Sequence, residues 1–393
     1  MSAALAGLCA LALAMGIGRF AYTPVLPYMQ ADYGLSVQAA GYVASANFAG
    51  YLAGALLAIS VPAGHRRFAF LAGVVTSVAT TLAMALLAQP VPMAIVRALS
   101  GAASAFALIH GSAIVLDRLA RDGKPALFSL LYAGVGVGIA LSALVVELAA
   151  RAAGSSSTQW LVLGLVSLAL APLAANLRDD ASRAAARGPP VAAASAPAAP
   201  PTAPAQAAGH AVALRWLVVA YGCLGFGYVI TATFIVVIVR ARPEWQALEM
   251  AVWLVVGLAA APSNYLWLRV MQRFGPWRAL TAAYLLEALG VAAAVSGHSL
   301  ALVGIGAALL GGTFVGITAL GLTTARNLAP GTAGPVIARM TAAFGFGQIA
   351  GPALGGWMAE RTGGFGWPSA LAALALLAAA AMVAIAGRRA AGQ

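Results

Sequence analysis

Residues 178–211 read RDDASRAAARGPPVAAASAPAAPPTAPAQAAGHA and separate two long regions of apolar sequence. Alanine and proline dominate this stretch, and such a composition is typical of a flexible or semi-extended linker. It therefore predicts a chain of two units, residues 1–177 and residues 212–393, joined by residues 178–211.

Candidate membrane spans fill both units. A helix needs about 20 mainly apolar residues to cross a bilayer, and helices satisfy their own backbone hydrogen bonds in lipid. Twelve runs meet this requirement: 3–29, 37–60, 68–89, 92–116, 125–150, 159–177, 212–239, 246–268, 277–297, 299–325, 335–359 and 365–387. The sequence therefore predicts an all-α membrane protein with twelve transmembrane helices, six on each side of the linker.

The composition indicates that lipid is the main solvent. Hydrophobic residues make up 62% of the chain and charged residues 8%, whereas soluble proteins carry about 25% charged residues. The net charge of +12 could indicate nucleic acid, but the basic residues lie in short loops, where they set membrane orientation. We therefore expect no nucleic-acid partner. Cys9 and Cys223 both lie inside apolar runs, so we expect neither a disulfide framework nor a metal site.

The basic residues also predict the orientation. With a cytoplasmic N-terminus, 16 of the 22 Lys and Arg residues lie on the inner side. The outer loops hold Arg151, Arg240, Arg242 and Arg361, and the spans hold Arg19 and Arg97. Since cytoplasmic loops carry the excess of Lys and Arg, we expect both termini and the linker in the cytoplasm. The first apolar run lacks a preceding basic region, so we interpret it as a retained span.

The two units resemble each other weakly. Gly16-Ile17-Gly18-Arg19 in span 1 corresponds to Gly225-Phe226-Gly227-Tyr228 in span 7, and Arg67 before span 3 corresponds to Arg278 before span 9. The two offsets are nearly equal across the linker, which favours a duplicated six-helix unit. Parallel repeats of this kind are a known transporter architecture.

This organisation resembles the major facilitator superfamily over nearly the whole chain. The family's loop after span 2 ends in Gly-Arg-Arg and contains an acid that helps to latch the inward gate. Here Gly64-His65-Arg66-Arg67 resembles the end of that loop, and Val61 occupies the place of the acid. The resemblance implies gating roles for Arg66 and Arg67, without the usual carboxylate.

The loop after span 8 shows the same departure. Gln272-Arg273-Phe274-Gly275 keeps the family's Arg-x-Gly and again lacks the acid. The resemblance implies a gating role for Arg273. In span 4, the stretch from Arg97 to Gly101 resembles the family's Arg-x-x-x-Gly element, whose arginine is linked to proton coupling.

A glycine-proline motif lies in span 11. Its residues Gly347, Gly351, Pro352 and Gly355 resemble a motif that the family's antiporters carry in span 5. Because it lies here in the symmetry-related span, it does not identify an antiporter, and close packing with a proline kink is the simpler interpretation. Together with the stretch from Gly18 to Pro24, the Gly347-Gln348 run resembles the YbfB/YjiJ-like bacterial branch.

Two arginines inside spans are the strongest candidates for a binding site. An ionisable residue at the centre of a span costs about 2.5–3.5 kcal/mol, and the family fold implies that spans 1, 4, 7 and 10 line a central cavity. Arg19 and Arg97 would then bind an anionic cargo, because Arg recognises carboxylate or phosphate through its fork of donors. In the alternative interpretation, each arginine bonds to backbone carbonyls at a helix break near Pro24 and Pro27.

Other polar and aromatic residues could complete the site. On the implied cavity helices and their neighbours, the candidates are Tyr22, Thr23, Asn47, Tyr132, Tyr228, Thr231, Asn264, Thr313 and Gln348. A polar side chain in a span joins helices as often as it binds a ligand.

Three residues could carry a coupled proton. Glu287 lies near the middle of span 9, which the family places on the outside of the bundle, and we expect it to be protonated or paired inward. Glu147 lies near the outer end of span 5, and His110 in the inner half of span 4 can titrate near neutral pH.

The sequence as a whole predicts a secondary active transporter of the major facilitator fold, with two pseudo-symmetric six-helix bundles. We expect it to move a small organic solute, of anionic character, across the bacterial inner membrane by alternating access, with proton coupling left open. We expect a functional monomer without a cofactor or metal. One alternative is a multidrug-type efflux permease, and another is a membrane-embedded enzyme or a non-transporting sensor. An enzyme would show His, Asp or Glu clustered at one membrane face, which the sequence lacks.

Overall fold

The computed structural model describes residues 2–179, 204–296, 299–329 and 333–391, which form helices and contain no strand. Twelve long helices follow one another in these residues. They are α1 (Ala3–Tyr33), α2 (Val37–Ile59), α3 (Arg66–Met84), α4 (Pro90–Arg121), α5 (Phe128–Ala153), α6 (Ser156–Ala175), α7 (Pro204–Arg240), α8 (Glu249–Phe274), α9 (Pro276–Val295), α10 (Leu300–Leu328), α11 (Ala333–Thr362) and α12 (Gly366–Ala390). Each matches one predicted span, and the predicted fold class is confirmed.

Eleven of these helices are long and apolar enough to cross a membrane. The helix outside that set is α11, which carries Gln348 and the glycine-proline motif. A lower apolar content in one helix is consistent with a helix that faces other helices and a cavity more than lipid.

The predicted linker is partly helical. Helix α7 begins at Pro204, so residues 204–211 are helical, ahead of the predicted start of the second unit at residue 212. Proline is favourable at the first position of a helix because its missing N–H has no helical partner there, and the alanines that follow are strong helix formers. Residues 180–203 of the predicted linker lie outside the described residues.

Helix α1 is broken near its middle. An α-helical part, Ala3–Leu11, continues as a π-helical segment, Ala12–Ile17, before a turn leads into Tyr22–Tyr33. Pro24 has no N–H to donate to the carbonyl of Phe20, and the N–H of Thr23 donates to that carbonyl at 3.2 Å instead. Among the described residues, no backbone N–H donates to the carbonyls of Gly18 and Arg19, so both need other donors.

The two halves, α1–α6 and α7–α12, meet mainly through α2 with α11 and α5 with α8. Direct hydrogen bonds join the halves toward one end of the bundle. The Thr23 hydroxyl donates to the carbonyl of Ala232 at 2.7 Å, and the Tyr28 hydroxyl donates to Glu249 at 3.1 Å. We call this end, where α1 and α7 finish and α2 and α8 begin, the distal end. The structure is closed at the distal end, away from both chain termini.

Candidate functional site

A central cavity lies between the two halves. Its volume is about 150 Å³. Four predicted site residues line it, namely Arg19, Tyr132, Tyr228 and Gln348. Its lining extends to Leu322 and Thr341, which lie toward the ends of α10 and α11 that are opposite the distal end. The cavity therefore reaches from the middle of the bundle toward the end that carries the chain termini.

Arg19 is the charged residue of this lining. Its side chain is 3% exposed, and its Nη2 donates to Oε1 of Gln348 at 2.9 Å. The guanidinium carbon lies 4.1 Å from the ring centre of Tyr51 and 4.7 Å from that of Phe48. Its Nε has no hydrogen-bond partner, and no carboxylate among the described residues forms an ion pair with it. Aromatic faces and one neutral amide therefore hold this cation, which leaves donor capacity for a ligand.

An aromatic wall faces Arg19 from the other half. The ring of Tyr228 is stacked between Phe314, at 5.3 Å, and Phe344, at 6.0 Å, with both interplanar angles at 6°. Nε2 of Gln348 donates to the Tyr228 hydroxyl. Gln348 thus connects Arg19 of the first half with the aromatic wall of the second.

Arg97 binds the break in α1. Its Nη1 and Nη2 donate to the carbonyls of Gly18 and Arg19, each at 2.6 Å, and the Ser100 hydroxyl donates to Gly18 at 2.9 Å. The amide of Asn47 donates to the carbonyl of Arg97 at 2.8 Å. Arg97 is not among the residues that line the cavity. The structure places it as the alternative interpretation expects, and the two guanidiniums do not form one cationic layer in the cavity.

The other predicted binding residues lie away from the cavity lining. Tyr22 donates to the carbonyl of Ala40 at 3.0 Å, and Thr23 joins the two halves as described above. Thr231 and Asn264 are buried, and the Oγ1 of Thr231 and Oδ1 of Asn264 have no partner among the described residues. In this conformation Tyr22 and Thr23 join helices, while Thr231 and Asn264 are buried outside the cavity lining.

Most of the aromatic residues that line the cavity were not among the residues predicted from the sequence. The missed residues are Phe20, Tyr51, Tyr221, Phe314 and Phe344. Phe344 lies four residues before Gln348, and Tyr221 lies seven residues before Tyr228. Residues three, four or seven apart share one helix face, so a search outward from the predicted polar candidates would have found both.

The three proton candidates lie in different environments. Glu287 is 0% exposed and is hydrogen-bonded to Thr313. Glu147 pairs with Arg151 at 2.8 Å near the distal end. His110 is buried, its Nε2 has no partner, and its ring packs against Phe106 at 5.6 Å.

In this structure the predicted gating arginines contact residues of their own half or of the segment that follows it. Arg66 pairs with Asp117 at 3.0 Å and with Asp179 at 3.6 Å, and Arg67 donates to the carbonyl of Leu177 at 3.4 Å. Acids from the end of α4 and from the segment after α6 therefore face Arg66, although the loop itself lacks one. Arg273 lies 5.4 Å from the ring centre of Phe274.

The glycine-proline motif of α11 contacts two helices, α7 in its own half and α2 in the other half. A Cβ added to Gly347 would lie 2.2 Å from the carbonyl oxygen of Gly222, and one added to Gly351 would lie 2.6 Å from Val229. Gly355 faces Ile230, also on α7. The glycines therefore pack α11 against α7, while the carbonyl of Pro352 faces α2 in the other half.

The chain is similar to transporters in both sequence and fold. A family model described as "Uncharacterised MFS-type transporter YbfB" matches residues 11–384. Among solved structures, that of a point mutant of the nucleoside transporter NupG has a TM-score of 0.72 at 16% identity and covers 98% of both chains. A second structure of NupG has a TM-score of 0.68 at 16% identity and covers 100% of this chain and 99% of that one. No curated protein matches the chain at a significant level of sequence similarity.

Proposed function

Because this chain belongs to the YbfB-like family of MFS-type transporters, we propose that it moves a small organic anion with a planar, apolar part. The family and the fold make it a membrane transporter of a small molecule. The chemical class of the cargo rests on the cavity. One chain builds the whole cavity lining, which supports function as a monomer.

The proposal depends on the position of Arg19 in the cavity lining. Among the described residues that line the cavity, it alone is charged, and no acid there opposes it. A carboxylate could replace the amide of Gln348 on Nη2 and also reach the unpartnered Nε, giving the bidentate pair that Arg forms with carboxylates. The wall of Phe314, Tyr228 and Phe344 would bind the planar part of the same molecule.

Matched pairs of ligands test the charge requirement. Purified protein is titrated with benzoate and benzamide and with nicotinate and nicotinamide, which differ mainly in the charge of the substituent. Wild type should prefer the carboxylates, and Arg19→Ala should weaken carboxylate binding roughly 10- to 150-fold, since hydrogen bonds to charged groups contribute about 1.5–3 kcal/mol. Binding of the amides should change little. Arg19→Lys keeps the charge without the fork and should lie between the two.

Arg151→Ala is the control, because its side chain is 75% exposed near the distal end. A monodisperse Arg19→Ala protein that binds both carboxylates as wild type does would contradict the anion proposal.

A neutral planar solute is the second candidate. The stacked Tyr228 and the amide of Gln348 suit a flat, hydrogen-bonding molecule, and the fold is similar to that of a nucleoside transporter. Uridine in the same titration distinguishes the candidates. Uridine binding that exceeds carboxylate binding and survives Arg19→Ala would favour the neutral cargo. Weak binding of every ligand irrespective of Arg19 would favour multidrug-type efflux.

The orientation can be tested with two single cysteines. We propose that the distal end faces the periplasm, since 16 of the 22 basic residues then lie inside. Gly64 and Gly366 lie at opposite ends, and a Cβ added to either meets nothing within 4 Å. After Cys9 and Cys223 are replaced by serine, an impermeant maleimide should label Gly366→Cys in intact cells. Gly64→Cys should react only after permeabilisation, and its labelling in intact cells would reverse the orientation.

A further inference from the structure

A carboxyl group that the cargo site does not use is buried between α9 and α10. Glu287 is 0% exposed. One of its oxygens is hydrogen-bonded to the hydroxyl of Thr313, and the other has no partner. Among the described residues, no Lys, Arg or His forms an ion pair with it. An ionised carboxylate at this place would lack a compensating cation, which is costly in a membrane.

The hydrogen bonds around Thr313 indicate which group holds the proton. Its Oγ1 lies 2.7 Å from the carbonyl oxygen of Leu309, and a carbonyl can only accept. A threonine hydroxyl has one hydrogen, so when it donates to Leu309 the hydrogen between Thr313 and Glu287 must come from Glu287. A protonated Glu287 therefore completes the chain Glu287 to Thr313 to Leu309, whereas an ionised one competes with Leu309 for a single hydrogen.

In the part of the chain that the structure describes, the helices packed around Glu287 place no Lys, Arg or His in an ion pair with its carboxyl group. Among the described residues, Tyr228 on α7 and Tyr284 on α9 lie within electrostatic range of Glu287. Tyr284 donates to the carbonyl of Ala220 at 3.1 Å, and Cys223 on α7 lies near Tyr284. The remaining charged residues and the histidine of the neighbouring helices lie toward helix ends. They are His210, Arg215 and Arg240 on α7, Glu249, Arg269 and Arg273 on α8, Arg278 on α9, Arg326 on α10, and Arg388 and Arg389 on α12.

Glu287 is also connected to the cargo cavity. Thr313 immediately precedes Phe314, which lines the cavity and stacks on Tyr228 at 5.3 Å. Tyr228 accepts a hydrogen bond from Gln348, and Gln348 accepts one from Arg19. A displacement of α10 that gives water access to Glu287 would therefore move one side of the aromatic wall.

We propose that Glu287 is the proton-binding site that couples transport to the proton gradient. This inference rests on the proposed transport of a small organic solute. In the structure observed here the carboxylic acid is closed off between α9 and α10. Movement of α10 admits water, the acid releases its proton to that water and becomes a carboxylate, and reprotonation allows the helices to close again.

Infrared spectroscopy of the purified protein tests the protonation directly and needs no cargo. Wild type at pH 7 should show the C=O stretching band of a buried carboxylic acid. The band should be absent from Glu287→Gln and present in Glu147→Gln, because the half-buried carboxylate of Glu147 pairs with Arg151. Because glutamine is a neutral isostere of the protonated acid, Glu287→Gln should also fold as stably as wild type. A missing band in wild type, or strong destabilisation by Glu287→Gln, would overturn the proposal.

Proteoliposomes test the coupling, with radiolabelled nicotinate as the probe. Glu287→Gln should lose accumulation driven by a pH gradient by about tenfold or more, while exchange of nicotinate at equal pH on both sides persists. Glu147→Gln should keep both activities. Gradient-driven accumulation by Glu287→Gln at the wild-type level would overturn the assignment. If wild type does not move nicotinate, the anion proposal is weakened, and the infrared and stability measurements still decide whether Glu287 holds a proton, without which it cannot couple transport.

Discussion

An Arg97→Ala variant is expected to lose most of its folded, monodisperse protein in detergent. Arg97 donates to the carbonyls of Gly18 and Arg19, each at 2.6 Å, and the break in α1 leaves both without a helical donor. A hydrogen bond to a charged group contributes about 1.5–3 kcal/mol, so the loss of two should cost roughly 3–6 kcal/mol. That is a large share of the roughly 5–15 kcal/mol by which proteins are usually stable.

Thermal unfolding and size-exclusion chromatography measure this effect. Arg97→Lys should lie between wild type and alanine, because an ammonium lacks the planar fork that bridges two carbonyls. Arg151→Ala is the matched control and should change stability by less than about 1 kcal/mol, as expected of an exposed ion pair. An Arg97→Ala protein as stable as wild type would show that the break in α1 does not depend on this side chain.

A Gly41→Val variant is expected to open the distal end instead of unfolding the protein. A Cβ on Gly41 would lie 2.3 Å from the carbonyl oxygen of Pro352, which belongs to the other half of the molecule. The clash exists only while the two halves are closed at the distal end, so separation relieves it without disturbing either bundle. Overpacking typically costs about 1–3 kcal/mol, which corresponds to a shift of roughly 5- to 150-fold toward the opened state.

A cysteine in the closed interface reports the shift. Ser45 is 7% exposed, and its hydroxyl donates to the carbonyl of Ile349 across the interface at 2.7 Å. With Cys9 and Cys223 replaced by serine, Ser45→Cys should react slowly with a maleimide, and adding Gly41→Val should speed the reaction about tenfold or more. An unchanged rate in a folded double variant would contradict closure through this contact.

Gly101→Val is the contrasting variant. A Cβ there would lie 1.9 Å from the carbonyl oxygen of Asn47, and both residues belong to the first half. Because no rigid movement of the halves relieves that clash, Gly101→Val should reduce stability without opening the distal end. Comparison of the two variants therefore distinguishes Gly101, which is needed for folding of the first half, from Gly41, which is needed for closure of the distal end.

The number of helices and the class of protein could be predicted from the amino-acid sequence alone. The length of an apolar run is a property of contiguous residues, and a bilayer requires about 20 of them. The same reasoning located Arg19 inside α1, because a charged residue within an apolar run can be recognised from the sequence without knowledge of its tertiary contacts. Proline also acts locally through its missing N–H, so a break near Pro24 could be anticipated.

Which polar groups form hydrogen bonds with one another could be seen only in the three-dimensional structure. Arg19 and Arg97 look alike in the sequence as single charges in apolar spans, yet one lines the cavity and the other binds the broken backbone. Glu287 lies on a helix that the family resemblance placed outside the bundle, but its side chain faces Thr313. The reason is physical. A buried polar group must find a partner, and the partner depends on the rotation and depth of a neighbouring helix, which the apolar pattern of α9 or α4 does not specify.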